Sequence, residues 1–560
     1  MSGVDQTSLT DAAIAELRDE RVLERIWERD ASVWTDDPAE QAVCRDRLGW
    51  LDVAATLSDR LPAVKAFAEQ VRDDGFRHVV LCGMGGSSLA PEVFSSVLGS
   101  AEGFPELIVL DTTDPLRLRA AEERIDYATT LFVIASKSGG TLETDCLRRF
   151  FTGRLIEHGL APAGERLVAI TDPGSSLCER AATEGYRAVF ENPADIGGRF
   201  SALSLFGLVP AALIGINVTS IMDAAAREAQ QCADSGAVGT PASAALRMGA
   251  AFGGLARAGL DKLTFLCAPS TLSLATWAEQ LVAESTGKNG RGIVPVIDER
   301  TPIRDGGDRQ YVQVAPQGEP CPPVPDGTPA TPCLLSYPGE LGALFFRLEM
   351  ATALASALLR VEPFDQPDVA SAKAAAAEVL ATGGRVGDTV ATGDGFELQL
   401  DDATRATLGV ADDVATAADV LRAFVALSAA RTHTGLLSYV PNAPAFAAPL
   451  AEVRAALGAL TLGATTSSIG PRYLHSSGQL HKGGPDGAAF VLFDGEPAGD
   501  QDLAIPERAL TFDRVFRAQA EGDARALLSR GRPLLRVRLG ADPAQGLTAL
   551  ATVLKDLAAS

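Results

Sequence analysis

Short apolar runs alternate with amphipathic stretches along much of the chain. The first round predicts strands over residues 78–82, 107–110, 130–135 and 166–170, with helices that begin at Ser87, Thr141 and Ser175. A second round predicts strands over residues 262–267, 293–297, 310–314 and 334–337, and helices over 272–284 and 341–359. Such alternation is typical of parallel sheets with crossover helices. The pattern therefore predicts two α/β domains, with the proline- and glycine-rich residues 316–332 as an insertion loop in the second.

A third round of alternation follows residue 385. It predicts helices over 414–430, 447–460 and 512–530, and strands over 436–440, 488–493 and 534–539. The first 40 or so residues look helical and charged, and Trp27 and Trp34 give that arm apolar groups with which to dock. We therefore expect a helical N-terminal arm (1–44), a first α/β domain (45–235), a second (236–385) and a smaller C-terminal α/β domain (386–560).

Composition narrows the class of protein. No apolar stretch reaches the roughly 18 residues that a spanning helix needs, because residues 203–216 are interrupted by Ser204, Gly207 and Pro210. The polar, acidic start is unlike a secretory signal, so we expect a cytoplasmic protein. The eight cysteines form no CxxC pair, which predicts neither a disulfide framework nor a cysteine zinc site.

The charge balance limits the partners. With 49 basic and 72 acidic residues the chain carries a formal charge of −23, which opposes binding to nucleic acid or to an anionic membrane. A small anionic substrate must then be held locally. Glycine loops and helix N-termini do this with backbone N–H groups whatever the net charge.

Two strand-to-helix junctions have this character. Residues 79–91 run from a strand through glycines into a helix start, and residues 134–144 place Ser136, Lys137, Ser138 and Thr141 at a similar corner. The first junction also resembles a dinucleotide fingerprint, with Asp111 as the acidic ribose partner, although Ser88 stands where the third glycine belongs. The alternative for the second is an ordinary helix cap, which accounts for one hydroxyl more easily than for three and a lysine.

Three further pieces carry chemistry. Arg199 follows a diglycine and precedes an apolar segment, Glu284 lies one helical turn after Gln280, and Gln366 and Lys373 lie two turns apart along one predicted helix face. A partly desolvated glutamate is suited to general-base work. Each residue alone also has an ordinary interpretation, as a surface arginine, a helix C-terminal charge or a solvated lysine.

Together these motifs resemble those of the glucose-6-phosphate isomerase family. The family pattern GxGGSxLxP matches residues 83–91, SKSGTTxET matches 136–144 with one departure, GGRFS matches 197–201, ESxGK matches 284–288 and PFDQPxVxxxK matches 363–373, all in order. The nearest likeness is to the isomerase portion of bacterial transaldolase/glucose-6-phosphate isomerase fusions, which carry a similar YLHSxGQLHKGGP, here residues 473–485. The residues before Arg77 are too few for a transaldolase barrel.

The resemblance implies a fold and a set of roles. It implies two sugar-isomerase (SIS) domains, each a mostly parallel sheet flanked by helices, in a cytoplasmic homodimer. Glu284 would move the proton between C1 and C2, Arg199 would stabilise the intermediate, and Lys373 would assist ring opening. The phosphate would be held by Ser136, Lys137, Ser138 and Thr141 with Gly86 and Ser87 close by, and Gln280 and Gln366 match the family's sugar-contacting glutamines. Neither a metal nor a cofactor is implied.

Two departures from the family pattern matter. Gly140 stands where the family usually has a further hydroxyl, which predicts weaker phosphate binding. No histidine lies between Glu284 and Lys373, where the family's ring-opening histidine is expected. His475 and His481 in the C-terminal loop are the candidates to replace it, His475 being favoured, and it could come from a neighbouring subunit. The alternative is that Lys373 acts alone or that the ring opens in solution.

The sequence thus predicts interconversion of glucose 6-phosphate and fructose 6-phosphate through a cis-enediol, in glycolysis and gluconeogenesis. Two other functions stay open. A related isomerase, such as a dual phosphoglucose/phosphomannose isomerase, would keep the base and change the sugar contacts. A non-catalytic sugar-phosphate-binding regulator would not need Glu284, Arg199 and Lys373 together.

Overall fold

The N-terminal arm is helical and docks against the core. The computed structural model describes residues 5–299, 307–324, 330–335, 340–410, 416–440 and 444–559. Two tryptophans dock the arm. Trp34 donates a hydrogen bond from Nε1 to the carbonyl of Ala353 at 2.9 Å, and Trp27 stacks on Phe346 with ring centroids 6.1 Å apart. The helices are α1 (Gln6–Asp19), α2 (Val22–Trp27), α3 (Pro38–Arg45), α4 (Val53–Thr56) and α5 (Leu61–Asp73).

The first sheet has five parallel strands in the order β2-β1-β3-β4-β5. All four strands predicted in this region are present. The fifth, β5, escaped prediction because it is a short, largely half-buried edge strand without a marked apolar run. The elements are β1 (His78–Gly83), α6 (Leu89–Leu98), β2 (Glu106–Leu110), α7 (Pro115–Glu122), β3 (Thr130–Ala135), α8 (Leu142–Glu157), β4 (Leu167–Thr171), α9 (Ser176–Thr183) and β5 (Ala188–Glu191).

Three helices lead to the second sheet, whose four described strands are parallel in the order β7-β6-β8-β9. The helices are α10 (Leu205–Leu213), α11 (Val218–Ala233) and α12 (Ala244–Arg257). The sheet and its helices are β6 (Lys262–Cys267), α13 (Leu272–Thr286), β7 (Val294–Ile297), β8 (Arg309–Pro316), β9 (Ala330–Leu335) and α14 (Glu340–Leu359).

The predictions for the second domain need correction at β9. The insertion loop predicted over 316–332 is wrong at its end, because β9 already begins at Ala330. Of the strand predicted over 334–337, the first two residues belong to β9, and Ser336 and Tyr337 lie outside the described residues. The start of β9 is defined by its backbone pairing with β8 from Ala330 onward. The apolar run that predicted this strand begins only at Leu334.

Helix α14 is the central helix of the molecule. By length and composition it could cross a membrane, but 94% of its most apolar window is buried inside the fold. It packs against α11, α12 and α13. Its apolar character on all sides is explained by this burial, because a core helix has no face toward water.

The third sheet has six strands in the order β10-β11-β15-β14-β12-β13. The strands β13, β12, β14 and β15 are parallel, and the hairpin β10–β11 is antiparallel at one edge. The elements are α15 (Pro367–Thr382), β10 (Asp388–Gly393), β11 (Phe396–Leu400), α16 (Asp402–Leu408), α17 (Ala417–Ala429), β12 (His433–Tyr439), α18 (Pro444–Thr461), β13 (Ala464–Ile469), α19 (Gly478–Gly483), β14 (Ala488–Asp494), α20 (Phe512–Ser529), β15 (Leu534–Leu539) and α21 (Pro543–Ala559).

The predicted fold class, α/β with parallel sheets flanked by helices and a further C-terminal α/β region, is confirmed. The helix predicted from Val414 begins at Ala417, where Thr416 and Asp419 form a capping box, and residues 411–415 lie outside the described residues. The division into domains at residues 44, 235 and 385 stays a prediction.

Candidate active site

Two glycine-containing loops meet at the carboxyl edge of the first sheet. The adjacent parallel strands β1 and β3 end at Gly83 and Ala135, so the loops after them emerge side by side. A Cβ on Gly86 would lie 1.9 Å from the carbonyl oxygen of Gly198, so only glycine permits this approach of the two backbones. The loop after β1 therefore sits directly against the Gly-Gly-Arg segment, with the half-buried Ser87 at its end.

The loop between β3 and α8 presents hydroxyl groups at a helix N-terminus. Ser136 Oγ lies 3.1 Å from Thr141 Oγ1, and Ser138 Oγ accepts a hydrogen bond from the backbone N–H of Gly140 at 3.2 Å. Thr141 is the N-cap of α8 but makes no side-chain cap hydrogen bond. The cap interpretation is therefore wrong for Thr141, and its hydroxyl and the first N–H groups of α8 are arranged to receive an anion.

The side chain of Lys137, which the sequence assigns to the phosphate, already has partners within the protein. Its Nζ lies 2.6 Å from Asp172 Oδ2 and donates to the carbonyl of Ala194 at 2.7 Å. The ammonium group is thus already paired with a carboxylate of the protein.

Arg199, Gln280 and Glu284 are in direct contact. Glu284 is 7% exposed near the end of α13, and its Oε2 lies 3.4 Å from Arg199 Nε and 3.1 Å from Gln280 Nε2. Gln280 Nε2 also donates to the carbonyl of His475 at 2.8 Å. Arg199 is 4% exposed, so the interpretation as a surface arginine is wrong.

The remaining donors of Arg199 hold the turn that precedes α15. Its Nη1 donates to the carbonyls of Glu284 and Pro363 at 2.9 and 2.8 Å, and Nη2 donates to the carbonyl of Asp365 at 3.0 Å and to Gln366 Oε1. One guanidinium thereby joins the Glu284 carboxylate, its helix and the turn that carries Gln366. A planar group with five donors suits this arrangement better than an ammonium group.

A buried ion pair supports the same turn. Lys288 Nζ lies 3.2 Å from Glu362 Oε2 and 2.7 Å from Asp365 Oδ1. Burial favours the neutral form of Glu362, but Lys288 and the N–H groups of Phe364 and Asp365 lower the pKa of this carboxyl to about 2. The lysine of the ESxGK motif thus has a positioning role.

His475 is brought to the site by the C-terminal region. Its Nε2 lies 2.8 Å from Glu143 Oε1 on the first turn of α8. Gln519 of α20 donates from Nε2 to the same Glu143 oxygen at 2.6 Å, and its Oε1 accepts from Thr113 Oγ1 at 2.6 Å. Burial favours the neutral form of Glu143, but the nearby His475 and Lys373 lower its pKa to about 2. Lys373 is exposed on α15, within electrostatic range of this pair.

His481 lies elsewhere. It is 3% exposed on α19, packed between Tyr473 and Phe490 at ring-centroid distances of 5.6 and 5.2 Å. Burial moves the pKa of His481 well below its usual value, so its ring is neutral. Of the two candidate histidines, only His475 adjoins Glu143 and the loops described above.

Asp111 has a partner within the protein. It is 6% exposed, its Oδ2 lies 2.6 Å from Arg472 Nε, and Ser88 Oγ donates to the same oxygen at 3.3 Å. An aspartate held in this way is not available to a ribose, which disfavours the dinucleotide interpretation. Within the described residues, no group of three His, Cys, Asp or Glu side chains is arranged to hold a metal ion.

The side chains that position the candidate site residues carry no local signal in the sequence. Glu143 lies inside the quoted loop motif, yet nothing local marks it as the partner of His475, which is 332 residues away. Gln479 was overlooked for the same reason: its Nε2 donates to Asp368 Oδ2 at 2.7 Å and to the carbonyl of Gly287 at 3.0 Å. The one available signal was the row of polar residues in HSSGQLHKGGP.

Comparison with known proteins agrees with these motifs. The phosphoglucose isomerase family model matches residues 47–289, which include Arg199 and Glu284. A glucose-6-phosphate isomerase from Rubrobacter xylanophilus is 31% identical over 373 residues, covering 56% of this chain and 85% of that protein. One from Thermosynechococcus vestitus is 29% identical over 384 residues, covering 59% of this chain and 72% of that protein. A solved structure, a hypothetical protein from Thermus thermophilus, shares the fold with a TM-score of 0.56 and 24% identity, covering 67% of this chain and 97% of that one.

Proposed function

The chain belongs to the glucose-6-phosphate isomerase family, and from that premise we propose that Glu284 and Arg199 interconvert glucose 6-phosphate and fructose 6-phosphate through a cis-enediol. The observation that carries this proposal is their contact: the buried Glu284 carboxylate lies 3.4 Å from the buried Arg199 guanidinium. A base and a fixed cation side by side are what enolisation of a sugar requires.

The proton transfer falls to Glu284. The open-chain sugar loses the C2 proton of the aldose, or a C1 proton of the ketose, to one carboxylate oxygen, and a cis-enediolate forms. The proton of the neighbouring hydroxyl passes to the oxyanion through the cis-enediol, which moves the carbonyl to the other carbon. The same oxygen then returns the proton to the neighbouring carbon. Gln280 donates to Glu284 Oε2 and fixes the carboxylate in one orientation, which favours a single base that reaches both carbons.

Negative charge develops on the carbonyl oxygen as the proton leaves. Arg199 is placed to meet this charge, because its Nε already faces the carboxylate that takes the proton. Its other donors are occupied by backbone carbonyls and by Gln366 Oε1, so the guanidinium does not reorganise during the reaction. Preorganised charge of this kind stabilises the transition state more than the bound substrate.

The substrate phosphate is assigned to the loop before α8. Ser136, Ser138 and Thr141 supply hydroxyls, and the N-terminus of α8 supplies N–H groups. Gly86 and Ser87 form the neighbouring wall, and Gln366 contacts the sugar from the turn. Binding the unreactive phosphate fixes C1 and C2 beside Glu284.

Ring opening is assigned to His475 together with Lys373. One proton must leave the anomeric hydroxyl and another must reach the ring oxygen. The Glu143 carboxylate holds the His475 ring by its Nε2. We further propose that the enzyme works in the cytoplasm as a homodimer without metal or cofactor, and that its substrates are small sugar phosphates.

The test is isomerisation of fructose 6-phosphate in D₂O without added metal or nucleotide. Wild type should form glucose 6-phosphate carrying deuterium at C2. The proton that Glu284 removes from the sugar carbon exchanges with D₂O while it is on the carboxyl group, and a deuteron is then returned to C2. Glu284→Gln should lower kcat by about 10²–10⁴-fold with an unchanged melting temperature. No product from wild type, or full activity of Glu284→Gln, would reject the proposal.

A further inference from the structure

The segment that carries His475 lies against the glycine loop of the first sheet. His475 is the last residue of a short 3₁₀ turn, Arg472–His475, which follows β13. Its carbonyl accepts a hydrogen bond from Gln280, and a Cβ on Gly85 would lie 2.5 Å from that same oxygen. The backbone of the turn is therefore packed directly on the loop after β1, at a position where only glycine fits.

Arg472, at the start of this turn, binds two carboxylates of the first sheet and its helices. Its Nε lies 2.6 Å from Oδ2 of Asp111, which follows β2, and its Nη1 lies 2.8 Å from Oε2 of Glu92 on the first turn of α6. Nη2 also donates to Glu92 Oε1 at 3.1 Å. The guanidinium thus uses three nitrogens on two acids, and its contact with Glu92 is bidentate.

These ion pairs are largely shielded from water. Asp111 is 6% exposed, and the side chain of Arg472 is 22% exposed. Burial disfavours the charged guanidinium, but Asp111 and Glu92 raise the pKa of Arg472 above its usual value. Ser88 Oγ lies 3.3 Å from Asp111 Oδ2 and 3.1 Å from the carbonyl oxygen of Gly85. Asp111 therefore connects Arg472 to the same loop that packs on His475.

The side chains of Arg472 and His475 leave the turn on the same side. A 3₁₀ helix has three residues per turn, so side chains three positions apart lie one above the other. Arg472 accordingly contacts Asp111 and Glu92, and His475 contacts Glu143 on α8. All three acids belong to the first sheet or its helices. Fixing the arginine therefore also fixes the direction in which the histidine points.

We propose that Arg472 is the positioning residue that sets His475 for ring opening, an inference that rests on the role proposed for His475. Without Arg472 the turn keeps its contact with Gln280 but is released at its start. The imidazole then no longer meets the sugar in one geometry, and proton transfer slows steeply with such displacement. Proton transfer by Glu284 does not depend on that geometry, so only a substrate with a closed ring should be affected.

Two substrates separate this role from a purely structural one. Fructose 6-phosphate must open its ring, whereas 5-deoxyfructose 6-phosphate lacks the hydroxyl that closes the ring and is always open. Arg472→Met should slow isomerisation of fructose 6-phosphate by at least about tenfold and leave the rate with the deoxy analogue near that of wild type. Equal losses on the two substrates, or no loss on either, would overturn the proposal.

A second variant guards against a loss that is due to misfolding. Arg472→Met leaves Asp111 as a buried carboxylate without its cation, which destabilises the fold. The double variant Arg472→Met/Asp111→Asn removes this charge and keeps an acceptor for Ser88. Its melting temperature should return toward that of wild type, while the loss on fructose 6-phosphate should persist. A rate that recovered together with the melting temperature would contradict a positioning role.

Arg347→Met is the matched control. Arg347 forms a bidentate pair with Glu228, both distances being 2.8 Å, and its side chain is 18% exposed. The pair joins α14 to α11, which carry none of the candidate site residues. This variant should have a lower melting temperature and no preference between the two substrates. A selective loss on fructose 6-phosphate here as well would show that selectivity follows from lost stability, and the proposal would fall.

His475→Ala separates this inference from the proposed function. If Arg472 acts through His475, adding Arg472→Met to His475→Ala should not slow fructose 6-phosphate further, and an additional loss would overturn the positioning role. Should His475→Ala be as fast as wild type, ring opening does not depend on His475 and both proposals fail. Should His475→Ala alone be selectively slow, only the role of Arg472 fails.

Discussion

Arg199 is held in place by several hydrogen bonds to the protein. Its guanidinium hydrogen-bonds to the carbonyls of Glu284, Pro363 and Asp365 while facing the Glu284 carboxylate. In the proposed mechanism the residue therefore combines electrostatic stabilisation with the positioning of the turn before α15. A substitution removes both contributions at once.

We expect Arg199→Lys to be strongly impaired. An ammonium group cannot satisfy carbonyls on three sides, so kcat should fall by about 10²–10³-fold and the free energy of unfolding by about 3 kcal/mol. Steady-state kinetics and urea unfolding measure the two effects. A variant with unchanged stability but low kcat would restrict Arg199 to the chemical step, and one with normal kcat would contradict both roles.

His475 can be tested with a substrate that has no ring to open. In 5-deoxyfructose 6-phosphate the hydroxyl that closes the furanose is missing, so the sugar stays open. His475→Ala should slow isomerisation of fructose 6-phosphate by about 10²-fold and leave the rate with the deoxy analogue near that of wild type. His481→Ala, a change in the core, is the comparison, with melting temperature recorded. Equal losses on both substrates would exclude a ring-opening role for His475.

Gly140 has room for the hydroxyl that the family pattern carries there. A Cβ at this position would meet only Ser138 Oγ, at 3.6 Å, and its φ is not positive. Gly140→Thr should therefore lower the KM for fructose 6-phosphate by about fivefold, the value of one added hydrogen bond, at unchanged kcat. Gly140→Val has the same shape without the hydroxyl and should not lower KM.

The neighbouring glycine should behave in the opposite way. Gly139 has a φ of +73°, and a Cβ there would lie 2.6 Å from the backbone nitrogen of Leu177. Gly139→Thr should lower the melting temperature and raise KM. The Gly140 prediction has its own contrary outcome. If Gly140→Val lowered KM as much as Gly140→Thr, the cause would be a more rigid loop and not the added hydroxyl.

Helix α19, in the C-terminal region, contacts the first turn of α15 and the residue that follows α13. Gln479 bonds Asp368 on α15 and the carbonyl of Gly287 after α13, and a Cβ on Gly287 would lie 2.5 Å from Leu480 Cα. The C-terminal region therefore clamps the ends of the two helices that carry Glu284 and Lys373. In the proposed mechanism this clamp completes the site, to which the same region also brings His475.

We expect Gln479→Ala to loosen this clamp. Asp368 Oδ2 and the Gly287 carbonyl lose the donor that Gln479 supplies, while Asp368 Oδ1 keeps Arg530, so the free energy of unfolding should fall by about 2 kcal/mol and kcat by about tenfold. Gln545→Ala, at an exposed glutamine of α21, controls for loss of the side chain. An unchanged kcat in Gln479→Ala would confine α19 to a stabilising role.

Elements with strong apolar periodicity could be predicted from the sequence, and those without it could not. The buried strands β1, β3 and β4 are mostly continuous apolar runs, which mark a parallel sheet covered on both faces. Strand β13 reads Ala-Thr-Thr-Ser-Ser-Ile and the hairpin β10–β11 lies at an edge, so neither has such a run. Edge pairing depends on backbone hydrogen bonds, which composition does not record.

The site itself was predictable only where a motif is local. The loop hydroxyls, Arg199 and Glu284 each lie in a short pattern, and the chain brings them together. Glu143, Gln479 and Gln519 were missed because their partners are more than 100 residues away. The side chain of Lys137 was misplaced, since nothing in the loop sequence indicates that Asp172 binds it.

A buried acid in α14 gives the whole molecule a pH-dependent stability. Glu349 is 0% exposed, both of its carboxylate oxygens lack hydrogen bonds in the described chain, and burial raises its pKa well above the usual 4.5. In the unfolded chain it ionises above pH 4.5, whereas in the folded state it stays neutral to higher pH. Stability is therefore lost as pH rises through this interval, at about 1.4 kcal/mol per pH unit.

Glu349→Gln should remove this loss. Because the amide stays neutral, the variant and wild type should have similar urea midpoints near pH 5, and the variant should become the more stable as pH rises to about 8. Glu69→Gln, an exposed acid of α5, should show no such divergence. A midpoint difference that does not change with pH would mean that Glu349 is ionised in the folded state or bound to a cation.

The distance along the chain between Glu143 and His475 has a consequence for synthesis in the cell. The phosphate loop, Arg199 and Glu284 leave the ribosome long before the segment that carries His475, which pairs with a residue 332 positions earlier. Domains fold in order of emergence, so a growing chain acquires its anion-binding loops and its base first. The histidine assigned to ring opening arrives last, and an unfinished chain that already holds a sugar phosphate still lacks it.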